Sequence, residues 1–211
     1  MCNLRSLGEA AIFKEAFESD SQRGHLMAEM MSAGRLGSDV LAALRARRSV
    51  RAYTGEHIPD EVLDQVLEAG LLAASGRGIR PWELVVVRER VTLEALSTCR
   101  AAGAGMLAGA DAAIVVAADA SASDTWVEDC SIVMANMHLA ADALGLGSCW
   151  VQGRMRETAN GRATRDAVAE LVGLPEGFEL EAILSLGVPA NHPEPRELTD
   201  ELRAKVHCER F

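Results

Sequence analysis

Along most of this chain the apolar residues recur at one of two spacings. Val62, Leu63, Val66, Leu67 and Leu71 fall three or four positions apart, the repeat of a single helix face. Pro59 and Asp60, just ahead of them, suit a helix start. Glu83-Leu84-Val85-Val86-Val87 and the run AAIVVAA at 112–118 are short, apolar and rich in valine, which predicts two buried strands. Residues 90–101, between them, follow the helical repeat. The longest helical segment is 124–144, where Ile132, Val133, Met134, Ala135, Met137, Leu139, Ala140, Ala141 and Leu144 cover nearly every face. A helix apolar all round is buried, either in a core or between subunits. Gly145-Leu146-Gly147 ends it. Ser148 to Val151 reads as a short strand, 162–173 as a polar helix, and Phe178 to Val188 as a final strand with partial alternation. The tail 189–211, marked by Pro189, Pro193 and Pro195, is expected to be extended. Strands separated by long helices predict a layered α+β or α/β domain.

Residues 1–37 differ from the rest. They are polar and charged, carry Met27, Met30 and Met31, and allow short helices around 8–18 and 22–32. They read as an N-terminal extension, an arm for a partner, with a start at a later methionine as the alternative. The core begins near Ser38, an N-cap for a helix containing Leu41 and Leu44, so 38–211 is expected to form one domain.

Composition narrows the possibilities. A net charge of −10 with 25% charged and 49% hydrophobic residues describes a soluble globular protein, and argues against a general nucleic-acid or anionic-membrane binder. The five cysteines are scattered without a C-x-x-C pair, and the five histidines show no ligand spacing. Neither a disulfide framework nor a metal site is expected, and a reducing cytoplasm is the expected location. Long uninterrupted apolar runs are absent, so no membrane span is expected. The glycines of Gly103-Ala104-Gly105-Met106-Leu107-Ala108-Gly109 imitate a dinucleotide fingerprint. The segment precedes a strand instead of following one, so it reads as a loop. Cys149 falls in a predicted buried strand without a base or second cysteine beside it, and reads as an inert core thiol.

Against the acidic background, Arg45, Arg47, Arg48 and Arg51 crowd into seven residues around Ser49, and Arg77 and Arg80 follow in SGRGIRPW. Like charges so close repel. Guanidinium forks and a hydroxyl suit a phosphate group, and a small anionic ligand explains the cluster economically; a solvated helix end is the other reading.

Four stretches carry a more specific signal together. They are Arg47-Arg48-Ser49-Val50-Arg51, Ala74-Ser75-Gly76-Arg77-Gly78-Ile79-Arg80-Pro81-Trp82, Leu144-Gly145-Leu146-Gly147-Ser148-Cys149-Trp150, and Arg196 in the proline-rich tail. In this order and spacing the chain, from about Leu41 to Phe211, resembles the nitroreductase family of flavin enzymes. The resemblance implies an α+β fold with three α/β/α layers, a central, mostly antiparallel sheet flanked by helices, and an intertwined homodimer binding FMN at its interface with residues of both subunits. It implies that Arg47, Arg48 and Ser49 hold the FMN phosphate. Arg51 would then reach toward the ring, where a cation near N1–C2=O stabilises the anionic reduced flavin.

The second stretch resembles the family's S-x-x-N-x-Q-P-W loop beside the ring. Ser75, Pro81 and Trp82 fit, and Gly76 and Arg77 lie in the same loop. Gly78 replaces asparagine and Arg80 replaces glutamine, so backbone groups or Arg80 would serve the pyrimidine edge. Trp150, Val151, Gln152 and Gly153 resemble the stretch whose backbone lies over the flavin face near N5, with Gly153 permitting close approach. Arg196 resembles the tail cation that closes on the phosphate, while Glu194 stands where a second one is common.

The activity implied is hydride transfer from NADH or NADPH to FMN and on to a small electron acceptor, a nitroaromatic, quinone or activated alkene, in a ping-pong cycle. No side chain stands out as a dedicated general acid. The alternatives are altered flavin chemistry, such as flavin fragmentation or reductive dehalogenation, and a non-enzymatic flavin-binding or regulatory module.

Overall fold

The computed structural model describes residues 39–211. The helices expected around 8–18 and 22–32 lie outside the described residues. The described residues divide into two compact units, one spanning Ala46–Pro195 and the other comprising 39–45 together with Arg196–Phe211.

Residues 39–46 are helical (α1). The larger unit then runs α2 (Asp60–Leu71), β1 (Trp82–Val87), α3 (Arg90–Leu96), β2 (Ala112–Asp119), α4 (Trp126–Ala143), β3 (Gly147–Gln152), α5 (Thr164–Val172) and β4 (Phe178–Gly187). The four strands form one sheet in the order β1-β2-β4-β3, and every pair is antiparallel.

Alternate residues of β2 divide between two cores. Ala112, Ile114, Val116 and Ala118 meet Leu63 and Val66 of α2 and Val133, Met134 and Met137 of α4. Ala113 and Val115 meet Leu93 and Leu96 of α3 and Val168 of α5. The sheet is therefore covered on both faces, which gives the three layers. The two central strands need apolar side chains on both sides, and this explains why β4 alternates only partially. α2 and α4 lie against each other at Gly70, where a Cβ would stand 2.7 Å from Met137 Cγ.

Several element boundaries differ from the sequence-based reading. The helix expected over 90–101 stops at Leu96. Immediately after it, the hydroxyls of Ser97 and Thr98 donate to the carbonyls of Glu94 and Ala95, at 2.7 and 2.9 Å, bonding that competes with helix continuation. The 103–109 segment contains a 3₁₀ turn, Gly105–Gly109. The tail, expected to be extended, holds a short helix, α6 (Asp200–Arg203), capped by the Thr199 side chain accepting from the Leu202 N–H. α4 is not covered all round by this chain. Cys130, Val133, Met134, Met137 and Ala141 are buried, but Ile132 is 39% exposed and Leu144, just past the helix end, 36%.

The β2–β4 register slips between Val116 and Ala117, where Val116 pairs with Ala182 and Ala117 with Leu180. Glu181 is thus the extra residue of a β-bulge, the device that re-aims backbone groups within a sheet. Its carbonyl oxygen accepts the N–H groups of both Gly153 and Arg154, at 3.0 and 2.9 Å.

Candidate functional site

The arginine segment lies beside the start of β3. Ser49 bridges Ser148, and the Val50 N–H donates to the Ser148 carbonyl at 2.9 Å. The segment rests on two glycines that face each other across β3 and β4, Gly147 and Gly187. A Cβ on Gly147 would stand 2.7 Å from Val50 Cγ1, and one on Gly187 would stand 2.6 Å from the Tyr53 ring. Tyr53 is pinned in turn: its hydroxyl lies 2.7 Å from Ser185 Oγ and donates to the Val50 carbonyl at 3.1 Å. Burial pushes the phenol up to about 12, with the Ser185 hydrogen bond pulling the other way.

Side chains near the C-terminal end of α4 organise the arginines. The Arg47 guanidinium meets His138 Nε2. The Arg48 N–H donates to Asp142 Oδ1 at 3.3 Å, and the same oxygen lies 2.8 Å from His192 Nε2. The Arg48 guanidinium donates to the Glu194 carbonyl, and that of Arg51 reaches the Ser49 carbonyl at 3.5 Å. Neither Arg48 nor Arg51 has a carboxylate partner among the described residues, so both keep an uncancelled charge. Two such guanidiniums, that of Arg47 and the Ser49 hydroxyl form a donor set suited to a phosphate. Cys149, in the neighbouring strand, is buried, and burial raises its thiol while the Arg51 charge opposes the shift, in keeping with an inert thiol.

The second predicted stretch joins α2 to β1 and is tied to the opposite end of α4. Asp129, 2% exposed, accepts from the Gly76 N–H at 2.8 Å and from the hydroxyls of Ser123 and Thr125 at 3.2 and 3.3 Å. A Cβ on Gly76 would strike Thr125 Oγ1 at 2.5 Å. Ser75 Oγ accepts the Arg80 N–H at 3.0 Å, closing the loop on itself. Arg77, Gly78 and Arg80 all have positive φ, at 54°, 71° and 53°. Gly78 is therefore at a left-handed position, where glycine and asparagine are the two residues most at ease. Glycine here lacks the amide of the resembled pattern but satisfies a backbone position that asparagine would also tolerate. Arg77 pairs with Asp124 at 3.0 Å, whereas Arg80 is exposed. Pro81 is buried, and its carbonyl accepts the Asp119 N–H at 3.1 Å.

Asp129→Ala would leave the Gly76 N–H without its acceptor. We expect a loss of about 2 kcal/mol, or roughly 6 °C in melting temperature, and faster proteolysis at 75–80. Calorimetry and limited proteolysis would check both.

Trp150, Val151 and Gln152 end β3. Trp150 Nε1 donates to Gln152 Oε1 at 2.8 Å, and the Gln152 amide reaches the Glu181 carbonyl at 3.4 Å. The structure adds a reason of its own for glycine at 153. A Cβ there would stand 2.4 Å from Leu180 Cδ2, and its N–H is held by the Glu181 carbonyl. Beneath this corner Glu181 is 3% exposed, and its Oε2 has no partner among the described residues. Burial raises its carboxyl, opposed by the Gln152 hydrogen bond. Arg196 lies in the smaller unit, where its N–H donates to the Arg45 carbonyl at 2.9 Å.

The predicted residues of the larger unit therefore fall into separate groups. The contacts that fix the arginine segment and the 75–81 loop are made by Asp142 and Asp129, which stand 13 positions apart on one helix, about 20 Å at 1.5 Å per residue. His138, Asp142, Ser148 and Asp129 organise these groups and were not anticipated. The available signal was a polar residue interrupting an otherwise apolar helical run, at 129, 138 and 142.

Comparison with known proteins bears on what such an arrangement does. Residues 44–188 match the Nitroreductase family. An Archaeoglobus fulgidus protein named as a candidate NADH dehydrogenase/NAD(P)H nitroreductase is 36% identical over 178 residues, 82% of this chain and 99% of that protein. Among solved structures, an FMN-dependent nitroreductase from Clostridium difficile superposes with a TM-score of 0.78 at 37% identity, over 81% of this chain and 99% of that one. A candidate nitroreductase from Desulfovibrio desulfuricans, solved in complex with FMN, gives 0.65 at 29% identity, over 82% and 97%. Among the described residues, no helix is long and apolar enough to cross a membrane.

Proposed function

Since the chain belongs to the nitroreductase family, we propose that it is an FMN-dependent NAD(P)H oxidoreductase whose binding site is assembled from two copies of the chain. The observation that carries this reading is the placement of the two groups at opposite ends of α4. One is a cationic, hydroxyl-bearing segment suited to a phosphate; the other is a constrained loop suited to the edge of a ring. Their separation of about 20 Å along a rigid helix is bridged most simply by the loop of a second protomer. A surface for that protomer is at hand. Leu72 is 75% exposed, and together with Ala69, Ala140 and Leu144 it lines an open groove of about 320 Å³ between α2 and α4.

In this reading Arg47, Arg48 and Ser49 hold the phosphate, and Arg51 presents its charge toward the pyrimidine side of the ring. Ser75, Gly76, Arg77, Arg80 and Pro81 of the partner's loop flank the ring, and Trp150, Val151, Gln152 and Gly153 border its face. Bound FMN supplies hydride transfer between NADH or NADPH and a small organic acceptor, a nitroaromatic, quinone or activated alkene, in a ping-pong cycle. The chain's contribution is to orient the donor and acceptor in turn and to stabilise negative charge. A cytoplasmic location accords with the buried thiols of Cys99, Cys130 and Cys149.

The test is anaerobic titration of the FMN-loaded protein with NADH and NADPH, followed by absorbance. We expect bleaching of the flavin band and recolouring on addition of a quinone or nitroaromatic. Bound flavin that neither nucleotide bleaches would refute the reductase and leave a flavin-binding module or altered flavin chemistry. The shared site is tested by mixing Arg47→Ala/Ser49→Ala with Asp129→Ala under conditions of subunit exchange. If each site draws on both copies, about a quarter of the sites recover with both halves intact. No recovery would place each site within one chain.

A further inference from the structure

A second set of residues, away from the arginine segment, gathers where the chain leaves β3. Gly153-Arg154-Met155-Arg156 form a four-residue turn, closed by the Arg156 N–H donating to the Gly153 carbonyl at 3.3 Å. Met155 holds the third position of this turn at φ 55°, a place that glycine or asparagine normally fills. Its side chain is 78% exposed, so little packing among the described residues offsets the backbone strain. Strain of this kind concentrates at binding and catalytic sites. The turn is also held from below, because the Glu181 carbonyl at the bulge accepts the N–H groups of both Gly153 and Arg154.

Arg154 is half-buried beside it. Its guanidinium carbon lies 5.9 Å from the centre of the Trp126 ring, at the start of α4, a cation–π contact that directs the side chain without cancelling its charge. Glu128 and Glu181 face the same corner, yet no ion pair among the described residues includes Arg154. Arg156, exposed in the same turn, donates to the Met155 carbonyl at 2.9 Å and also has no carboxylate partner among the described residues. An indole, a thioether and two guanidiniums thus meet at one corner. A flat ring packs well against the first two, and a carboxylate or sulfonate on that ring accepts the forked donors of a guanidinium.

We propose that the Trp126–Arg154–Met155 corner is a subsite for the electron acceptor, and that it selects an aromatic acceptor carrying a negative charge over its neutral counterpart. Arg154 sets the preference and Met155 supplies apolar contact. The proposal rests on the FMN reading above, which sets Gln152 and Gly153 against the flavin face, and it names the class of acceptor. The chain's net charge of −10 repels anions at long range, so a preference for one has to be created locally.

The experiment compares 4-nitrobenzoate with 4-nitrobenzamide, rings of similar shape that differ in charge. Dissociation constants are measured without nucleotide, from the perturbed spectrum of the oxidised flavin in the FMN-loaded full chain, for wild type, Arg154→Gln, Arg154→Lys and Met155→Gly. We expect wild type to bind the benzoate about tenfold tighter or more, the equivalent of one charged hydrogen bond, with the advantage narrowing as ionic strength rises. Arg154→Gln should remove that advantage and leave the benzamide unchanged, and Arg154→Lys should keep part of it. Met155→Gly should weaken both rings alike without lowering the melting temperature. A wild type without preference for the anion overturns the proposal, as do equal losses for both rings with Arg154→Gln. An effect of Arg154→Gln confined to the NADH or NADPH concentration that half-bleaches the flavin would assign the cation to the nucleotide and overturn it too. If Arg154→Gln is poorly folded, a wild-type preference that salt does not narrow has the same force. A wild type that prefers the benzoate but whose flavin neither nucleotide bleaches would overturn the reductase reading alone, and uphold the selection of an anionic ring.

Discussion

Arg47→Ala combined with Ser49→Ala is expected to strip FMN from the protein, weakening it about 100- to 1000-fold while leaving the fold intact. The magnitude follows from the donors removed. One charge-assisted hydrogen-bonding group is worth about 1.5–3 kcal/mol and a neutral hydroxyl about 1 kcal/mol, and 4 kcal/mol corresponds to about three decades in affinity. The fold should tolerate the change because both side chains are only half-buried. Gel filtration after loading with FMN, with the flavin-to-protein absorbance ratio as readout, measures the loss. Arg203→Ala, which removes an exposed cation from α6, is the control for net charge. Full flavin retention by the double variant would show that the phosphate is held elsewhere.

The second large effect is expected from a substitution that touches no ligand. Gly187→Ala places a methyl 2.6 Å from both Cγ and Cδ1 of Tyr53 and 2.9 Å from its Cβ. The ring cannot swing aside freely, because its hydroxyl is bonded to Ser185 and to the Val50 carbonyl. Overpacking of this kind costs about 1–3 kcal/mol, and relief comes from lifting residues 50–53 off the sheet. That movement carries Ser49 and Arg51 with it. We therefore expect a fall in melting temperature together with a loss of FMN affinity of tenfold or more, recorded on the same sample by calorimetry and flavin fluorescence. Gly187→Ala/Tyr53→Ala, which removes the obstacle, should recover part of the affinity. A destabilised variant with wild-type flavin affinity would uncouple the glycine floor from the site.

Sequence reading captured the elements whose signal is local. Val62 to Leu71 announced α2 by spacing, and the valine-rich runs announced β1 and β2, because burial on a helix or in a sheet imposes its own period. The arginine segment stood out in sequence because four cations in seven residues are costly without an anion. What escaped notice depends on contacts between residues far apart in the chain. His138 meets Arg47 across 91 positions, and Asp142 meets Arg48 across 94; no local pattern encodes either. Gly153 was noticed for close approach to a ligand, while its contact with Leu180 and the Glu181 bulge escaped notice, since these enter only once β3 and β4 are in register. The loop departures look opposite from the two vantage points. In sequence Gly78 is a missing amide, while in the structure it is a residue at φ 71° that satisfies the backbone.

α4 sets a phase as well as a distance. An inserted or deleted residue between Asp129 and Asp142 would shift one end by about 1.5 Å and rotate it by about 100° relative to the other. Asp129 could then face Gly76 only if His138 and Asp142 turned away from the arginine segment. The helix is therefore a stretch whose length cannot change by a single residue without breaking one set of contacts. The turns after α3 and the polar stretch between β3 and α5 lie outside that constraint, so a residue added there leaves the phase between the two ends of the helix unchanged.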